Sequence, residues 1–262
     1  AQVTLDHAII HINSKYVGIS VYEDMVKSTL AHEFQHLINF SDAFYTKDLR
    51  STKTWLNEAM SGYVEESLYT GVKITEGHYS EFNKSSRIRK GQSLYNFDND
   101  SHDIGVYGSV YLFSEYLAKN SSSDVFNKIH KYWRTTSSKT LDDAEALYNS
   151  VSSSYKNKID NLVSYPSSLK FNTKEQEWMS KMTLDFYISL MKFDTSDPKN
   201  YKNITLKSLL FDEVGGAKLE GGGRIVFATN NGQFSIPTDA DKNLVYIGFN
   251  KDGDHVTVPI YK

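Results

Sequence analysis

The chain has 262 residues, a formal net charge of −3, 39% hydrophobic and 23% charged residues, and no cysteine. Without cysteine there are no disulfides, no thiolate catalysis and no Cys-ligated zinc, so any metal has to be held by histidine and carboxylate. The near-neutral charge offers no basic field for nucleic acid, and no stretch approaches the roughly 18 apolar residues of a membrane span.

Residues 3–20 are rich in β-branched and apolar side chains, which predicts two short strands with a turn near Asn13-Ser14. From Glu23 the pattern turns helical, with Met25, Leu30, Phe34, Leu37 and Ile38 as an apolar stripe. A second helix is predicted from about Thr54 to Tyr69, with Ser51 or Thr52 as its cap. The compact basic cluster Lys84, Arg87, Arg89 and Lys90 reads as a solvated helix face. Further helices are predicted at 104–119, 122–135, 140–153 and 173–193, the last opened by a cap-and-return pair, Asn172 and Glu175. The Ser-rich stretches at 121–123 and 152–154 read as short connections. After Asp194, Pro198 and the glycine clusters at 215–216 and 221–223 punctuate β-like runs such as RIVFA and NLVYIGF. The expectation is an α+β chain: residues 1–194 form a catalytic unit with a small N-terminal sheet and a mainly helical remainder, and 195–262 form a small β-rich module.

The chemistry-bearing segment is Ala31-His32-Glu33-Phe34-Gln35-His36, an HExxH pattern. On a helix, residues four apart share a face with Cβ atoms about 5–6 Å apart, so two imidazoles can reach one Zn²⁺ at about 2.0–2.1 Å. Glu33 lies beside that face, close enough to reach a water molecule at the metal without being a ligand. Catalytic zinc takes three protein ligands and keeps one position open. Glu58 follows His36 after 21 intervening residues, near the start of the second predicted helix. An antiparallel helix pair would bring that first turn back toward the imidazoles, and His32, His36 and Glu58 then meet the count.

HEFQH together with WLNEAMSGYVEE resembles the gluzincin pattern, in which HExxH is followed by NE on a later helix. With AHEFQHLINF and the later YGSVYLFSEYL, the arrangement is similar to the hyicolysin-type neutral metallopeptidases of bacteria, over about residues 30–117. The resemblance implies a zincin-like catalytic domain. It implies one catalytic Zn²⁺ on His32, His36 and Glu58, with Glu33 as general base. Gluzincins also carry a catalytic tyrosine downstream of the ligand glutamate, for which Tyr107 is the candidate and His102 the second choice. A secreted or cell-surface bacterial enzyme acting on protein or peptide substrates is expected, freed of any signal peptide or prosegment and taken as a monomer.

Two departures refine this. The glycine-rich exopeptidase motif ending Met-Glu-Asn is absent upstream of His32, which argues for endopeptidase action. Thermolysin-like enzymes place Asp four residues after the ligand Glu to orient a zinc histidine. Gly62 stands there, leaving Glu65, Glu66 or a backbone carbonyl for that task.

Competing assignments exist. In a metzincin-like reading, Asn39 takes the left-handed turn position and Asp42 becomes the third ligand; the WLNE context favours Glu58. Tyr107 also reads as one aromatic of a core stripe with Tyr111, Phe113 and Tyr116. The strand around Ala8–His11 offers an edge to an extended peptide, with His7 and His11 as a rim pair. His78, His130 and His255 have no partner at metal spacing and read as surface or internally satisfied histidines. Asn250 to Asp254 resembles the start of a Ca²⁺ loop, but Tyr261 occupies the place of the closing glutamate and an Asp-Gly hairpin turn competes. Two other functions compete with the endopeptidase: an inactive zincin scaffold serving binding or adhesion, and a zinc amidase on cell-wall peptides. A dead site commonly loses its base or a ligand, and here Glu33, both histidines and Glu58 are present.

Overall fold

The computed structural model describes residues 2–4, 9–45, 53–68, 82, 85, 91–97, 104–136, 142–165, 167, 169–191, 209–210, 227–228, 246–249 and 255–258. The chain divides into two compact units, one of Ala1–Ser85 with Leu94–Tyr155 and one of Ser86–Ser93 with Lys156–Lys262.

The first unit opens with β1 (Gln2–Thr4) and β2 (Ile9–His11), antiparallel with Gln2 opposite His11 and Thr4 opposite Ile9. Both strands precede Asn13, so the turn expected at Asn13-Ser14 does not join them. Instead the Asn13 side chain accepts a hydrogen bond from Lys15 N at 3.0 Å and starts a single 3₁₀ turn, Ser14–Tyr16. A short amide side chain that bonds its own backbone two residues on favours this local turn.

Helix α1 (Glu23–Tyr45) carries Glu23 and Asp24 in its first turn, where negative charge suits the positive end of the helix dipole. Helix α2 (Thr54–Leu68) begins with the amides of Leu56 and Asn57 both donating to the Lys53 carbonyl at 3.1 Å; Ser51 and Thr52 lie outside the described residues. Then come α3 (Ile104–Asn120), α4 (Val125–Thr135) and α5 (Asp143–Ser150). The Asp142 side chain caps α5 by accepting from Glu145 N at 3.0 Å.

Helix α2 packs on α1 and on α3, and α4 packs on α1 and on α5. On α2, Trp55, Leu56, Ala59 and Met60 are fully buried, and α3 contributes Val106, Val110, Leu112, Phe113 and Leu117 to the same core. The Trp55 and Phe113 rings meet edge-on at 5.5 Å. A Cβ added at Gly62 would lie 3.3 Å from Tyr111 Cδ2, so the absence of a side chain at 62 permits the close approach of α2 and α3.

Helix α1 departs from the apolar stripe expected of it. Phe34 is 58% exposed, whereas Ser28, Gln35 and Asn39 are buried. Their spacing, with His32 between Ser28 and Gln35, traces one helix face. The inner face of α1 is polar because it is built around interactions with α2 and α4.

The serines at 152–154, expected to be a connection, open α6 (Ser153–Asp160), with Ser152 Oγ accepting from Tyr155 N at 3.3 Å. In the second unit, α7 (Lys174–Met191) is capped one residue later than Asn172–Glu175. Thr173 Oγ1 accepts from Gln176 N, and Gln176 Oε1 accepts from Asn172 N, each at 3.2 Å. Trp178, Met182 and Phe186, four residues apart, are fully buried. Lys158 pairs with Asp185 at 2.8 Å, and Trp178 Nε1 donates to the Lys156 carbonyl at 3.3 Å. The described strands of this unit are β3 (Leu209–Leu210) parallel to β4 (Phe227–Ala228), and β5 (Tyr246–Phe249) antiparallel to β6 (His255–Val258). Among the described residues no helix is long and apolar enough to cross a membrane.

Candidate metal centre

His32 and His36 stand one turn apart on the inner side of α1, their rings 4.8 Å apart and nearly perpendicular at 83°. Glu58, in the second turn of α2, faces both: its Oε2 lies 3.3 Å from His32 Nε2 and 3.6 Å from His36 Nε2. One donor atom from each of the three residues lies within 4.8 Å of the others. Glu58 Oε2 is buried, yet accepts no hydrogen bond of good geometry from either imidazole. The three groups therefore converge on a common point without satisfying one another. Two imidazole nitrogens and one carboxylate oxygen form a donor set suited to a divalent ion such as zinc, with room for a fourth ligand.

Each imidazole is held from behind. His32 Nδ1 lies 3.2 Å from Glu65 Oε2, and the other Glu65 oxygen accepts from Ser28 Oγ at 2.6 Å. A carboxylate only accepts, so in the neutral ring this contact places the His32 proton on Nδ1 and leaves the Nε2 lone pair facing Glu58. His36 Nδ1 lies 3.1 Å from Asn57 Oδ1 and 3.0 Å from Ser61 Oγ. The Asn57 oxygen also accepts from Asn39 Nδ2. An amide oxygen accepts as well, so His36 too presents its Nε2 lone pair to the shared point. Burial works to lower the His32 pKa, but the nearby carboxylates of Glu58 and Glu65 outweigh it and raise it from 6.5 to about 9. A bound divalent ion would take the place of that proton.

Glu33 is half-buried on α1, and Tyr107 is half-buried on α3, its ring edge-on to Phe97 at 4.8 Å. Burial first, and then the negative charges of Glu58 and Glu33, push the Tyr107 hydroxyl above its ordinary pKa.

The metzincin-like arrangement has a different backbone from this one. α1 stays helical to Tyr45, so Asn39 makes no left-handed turn; it is buried, and its amide donates to Asn57. At 1.5 Å per residue, the backbone of Asp42 lies about 9 Å farther along the helix axis than that of His36; its side chain is outside the described residues. His7, His78, His102, the Lys84–Lys90 cluster and Asn250–Asp254 also fall outside them. His11 is exposed on β2, and His255 opens β6.

Six participants were not anticipated in these roles: Ser28, Gln35, Asn39, Asn57, Ser61 and His130. His130, read from the sequence as a surface or internally satisfied histidine, is of the second kind: it is buried on α4, where its Nε2 lies 2.9 Å from Gln35 Nε2 and its ring meets Trp133 at 5.7 Å. The polar spacing 28, 32, 35, 39 on a strongly helical segment was the available signal for most of this network.

No protein-family model matches the chain. Over 110 residues, 42% of its length, the chain is 33% identical to a neutral metalloprotease, ShpI, of Staphylococcus hyicus. The matched stretch spans 24% of that relative's length. Over this part, then, the chain is similar to a metalloprotease, and its described residues bring together one His-His-Glu group able to hold a metal.

Proposed function

We propose that the chain is a secreted, zinc-dependent endopeptidase of the gluzincin kind, with His32, His36 and Glu58 as zinc ligands. The observation that carries this reading is the convergence of two oriented imidazole Nε2 atoms on a buried Glu58 oxygen that has no hydrogen-bond donor of its own. A buried carboxylate oxygen left in that state is costly, and a cation at the shared point removes the cost. Similarity to a protein named a neutral metalloprotease supports both the metal and the peptide substrate.

When bound, zinc supplies a Lewis acid that polarises the scissile carbonyl and makes water more acidic. Glu33 accepts a proton from the attacking water and delivers it to the leaving amine. Tyr107 donates its hydroxyl proton in a hydrogen bond to the developing oxyanion, and the raised pKa of that hydroxyl keeps the donor proton in place. Glu65 and Asn57 hold the ligand imidazoles in the correct tautomer. The strand β2 offers its outer edge to an extended peptide.

The test is metal content and turnover of the purified protein. About one zinc per chain is expected, with casein cleavage abolished by a chelator and restored by zinc. Glu33→Gln should retain zinc and lose about 10²–10⁴-fold in kcat. Protein that neither contains zinc nor takes it up would end this assignment, and full activity in Glu33→Gln would remove Glu33 from the reaction.

A further inference from the structure

One hydrogen-bond chain runs through the buried space between α1, α2 and α4. It starts at His130 on α4, 8% exposed, whose Nε2 accepts from Gln35 Nε2 at 2.9 Å. The same Gln35 amide, 7% exposed, donates its second proton to Asn39 Oδ1 at 3.3 Å. Asn39 Nδ2 donates to Asn57 Oδ1, which accepts in turn from His36 Nδ1–H at 3.1 Å. The directions agree from end to end, and at the last step Ser61 Oγ, 3.0 Å from His36 Nδ1, stands beside Asn57 as a second oxygen facing that nitrogen. Such a network is stable only when every member is satisfied, and a fully satisfied network fixes the orientation of its members.

We propose that His130 is a positioning residue for His36, acting through Gln35, Asn39 and Asn57. This inference rests on the zinc reading of the site. By accepting from Gln35, His130 fixes which way that amide faces. Gln35 then presents a donor to Asn39 Oδ1, which turns Asn39 Nδ2 toward Asn57. Asn57 consequently keeps its oxygen, and not its NH₂, against His36 Nδ1. If Asn57 were reversed, a donor would face the Nδ1–H of His36 and push the imidazole toward the tautomer that cannot bind a metal through Nε2. His130 touches no substrate and no metal. Its contribution is to remove one wrong state of the ligand histidine.

Two substitutions separate this from simple packing. His130→Phe keeps an aromatic ring beside Trp133 and deletes the acceptor. Gln35→Met keeps the length of the side chain and deletes both donors. Zinc affinity measured by chelator competition should fall roughly tenfold in each, the lower end of the range for losing a partner behind a ligand. The double variant should be no weaker than the worse single one, because both changes cut the same chain. His130→Gln, which retains an acceptor, should recover part of the loss. The thermal unfolding of the metal-free protein serves as the control, and its midpoint should move far less than the zinc affinity. Wild-type zinc affinity in both single variants, with only the unfolding midpoint lowered, would reduce His130 to a packing residue while leaving the zinc reading intact. A wild-type protein that binds no zinc overturns both. If one variant does not fold, the other decides.

Discussion

Helix α2 lies against two neighbours of opposite character. Toward α3 the contact is apolar and tight: Trp55 against Phe113, and Gly62 against Tyr111, where a Cβ would lie 3.3 Å from Cδ2. Toward α1 it is polar: Glu58 and Glu65 face His32, and Asn57 and Ser61 face His36. Burying polar groups gains little stability compared with packed hydrocarbon of the same volume. The difference teaches a division of labour, in which the α3 side holds α2 in place and the α1 side uses that fixed helix to aim side chains. Changes on the α3 side should lower stability with the metal centre intact, and changes on the α1 side should do the reverse.

The largest effect is expected from Phe113→Ala, which should cost about 3–5 kcal/mol in denaturant unfolding while the surviving folded protein still binds zinc with near-native affinity. Loss of zinc affinity without loss of stability would erase the contrast. Tyr107→Phe tests the place where α3 reaches the centre: turnover should fall about 10²–10³-fold with zinc content and unfolding unchanged. Unaltered kinetics would return Tyr107 to the core. Glu65→Gln, on the α1 side, should weaken zinc binding about 10–100-fold and lower kcat, with little change in the unfolding midpoint.

Asp143 gives the mildest effect, and it can be seen only as a function of pH. It is buried at the start of α5, where Oδ2 accepts from Trp55 Nε1 at 2.9 Å and Oδ1 has no partner. Burial raises its pKa from 3.8 to about 7, against the opposing bond from Trp55. The folded state thus prefers the protonated acid. The stability this brings is fully present below about pH 3.8 and is lost as the pH rises through about 7. Asp143→Asn should match the wild type near pH 4 and become the more stable protein by on the order of 1–3 kcal/mol by pH 7.5, with zinc affinity unchanged. Parallel stability curves for the two proteins across this range would refute the assignment.

The helical part of the fold was legible to a high degree. The stretches 104–119 and 173–193 correspond to Ile104–Asn120 and Lys174–Met191, and the start signal read at Asn172 lies one residue from the capping Thr173. The failures were local competitions. Asn13 chose a turn within its own neighbourhood over a hairpin, and the serines at 152–154 capped a helix where they had been read as a break. Of the candidate metal group, the juxtaposition of His32 and His36 was readable from spacing alone, and that of Glu58 from spacing plus resemblance. Glu65 was only one of three choices, since its selection depends on how α1 and α2 are rotated about their axes. His130 was invisible in principle: its partner Gln35 lies 95 residues away, and no local pattern records that meeting.

The narrow gap at Gly62 has one more consequence. Glu58 and Glu65 lie two helical turns apart on α2, on the same face, and position 62 falls between them. A Cβ at 62 would lie 3.3 Å from Tyr111 Cδ2, so a carboxylate there would crowd the ring, and the acid that faces His32 Nδ1 stands one turn on, at Glu65. That longer reach is met by Ser28, which anchors the far oxygen of Glu65 from across the helix pair. The address of the outer carboxylate thus suits the girth of an aromatic ring on α3, a helix outside the His-His-Glu group.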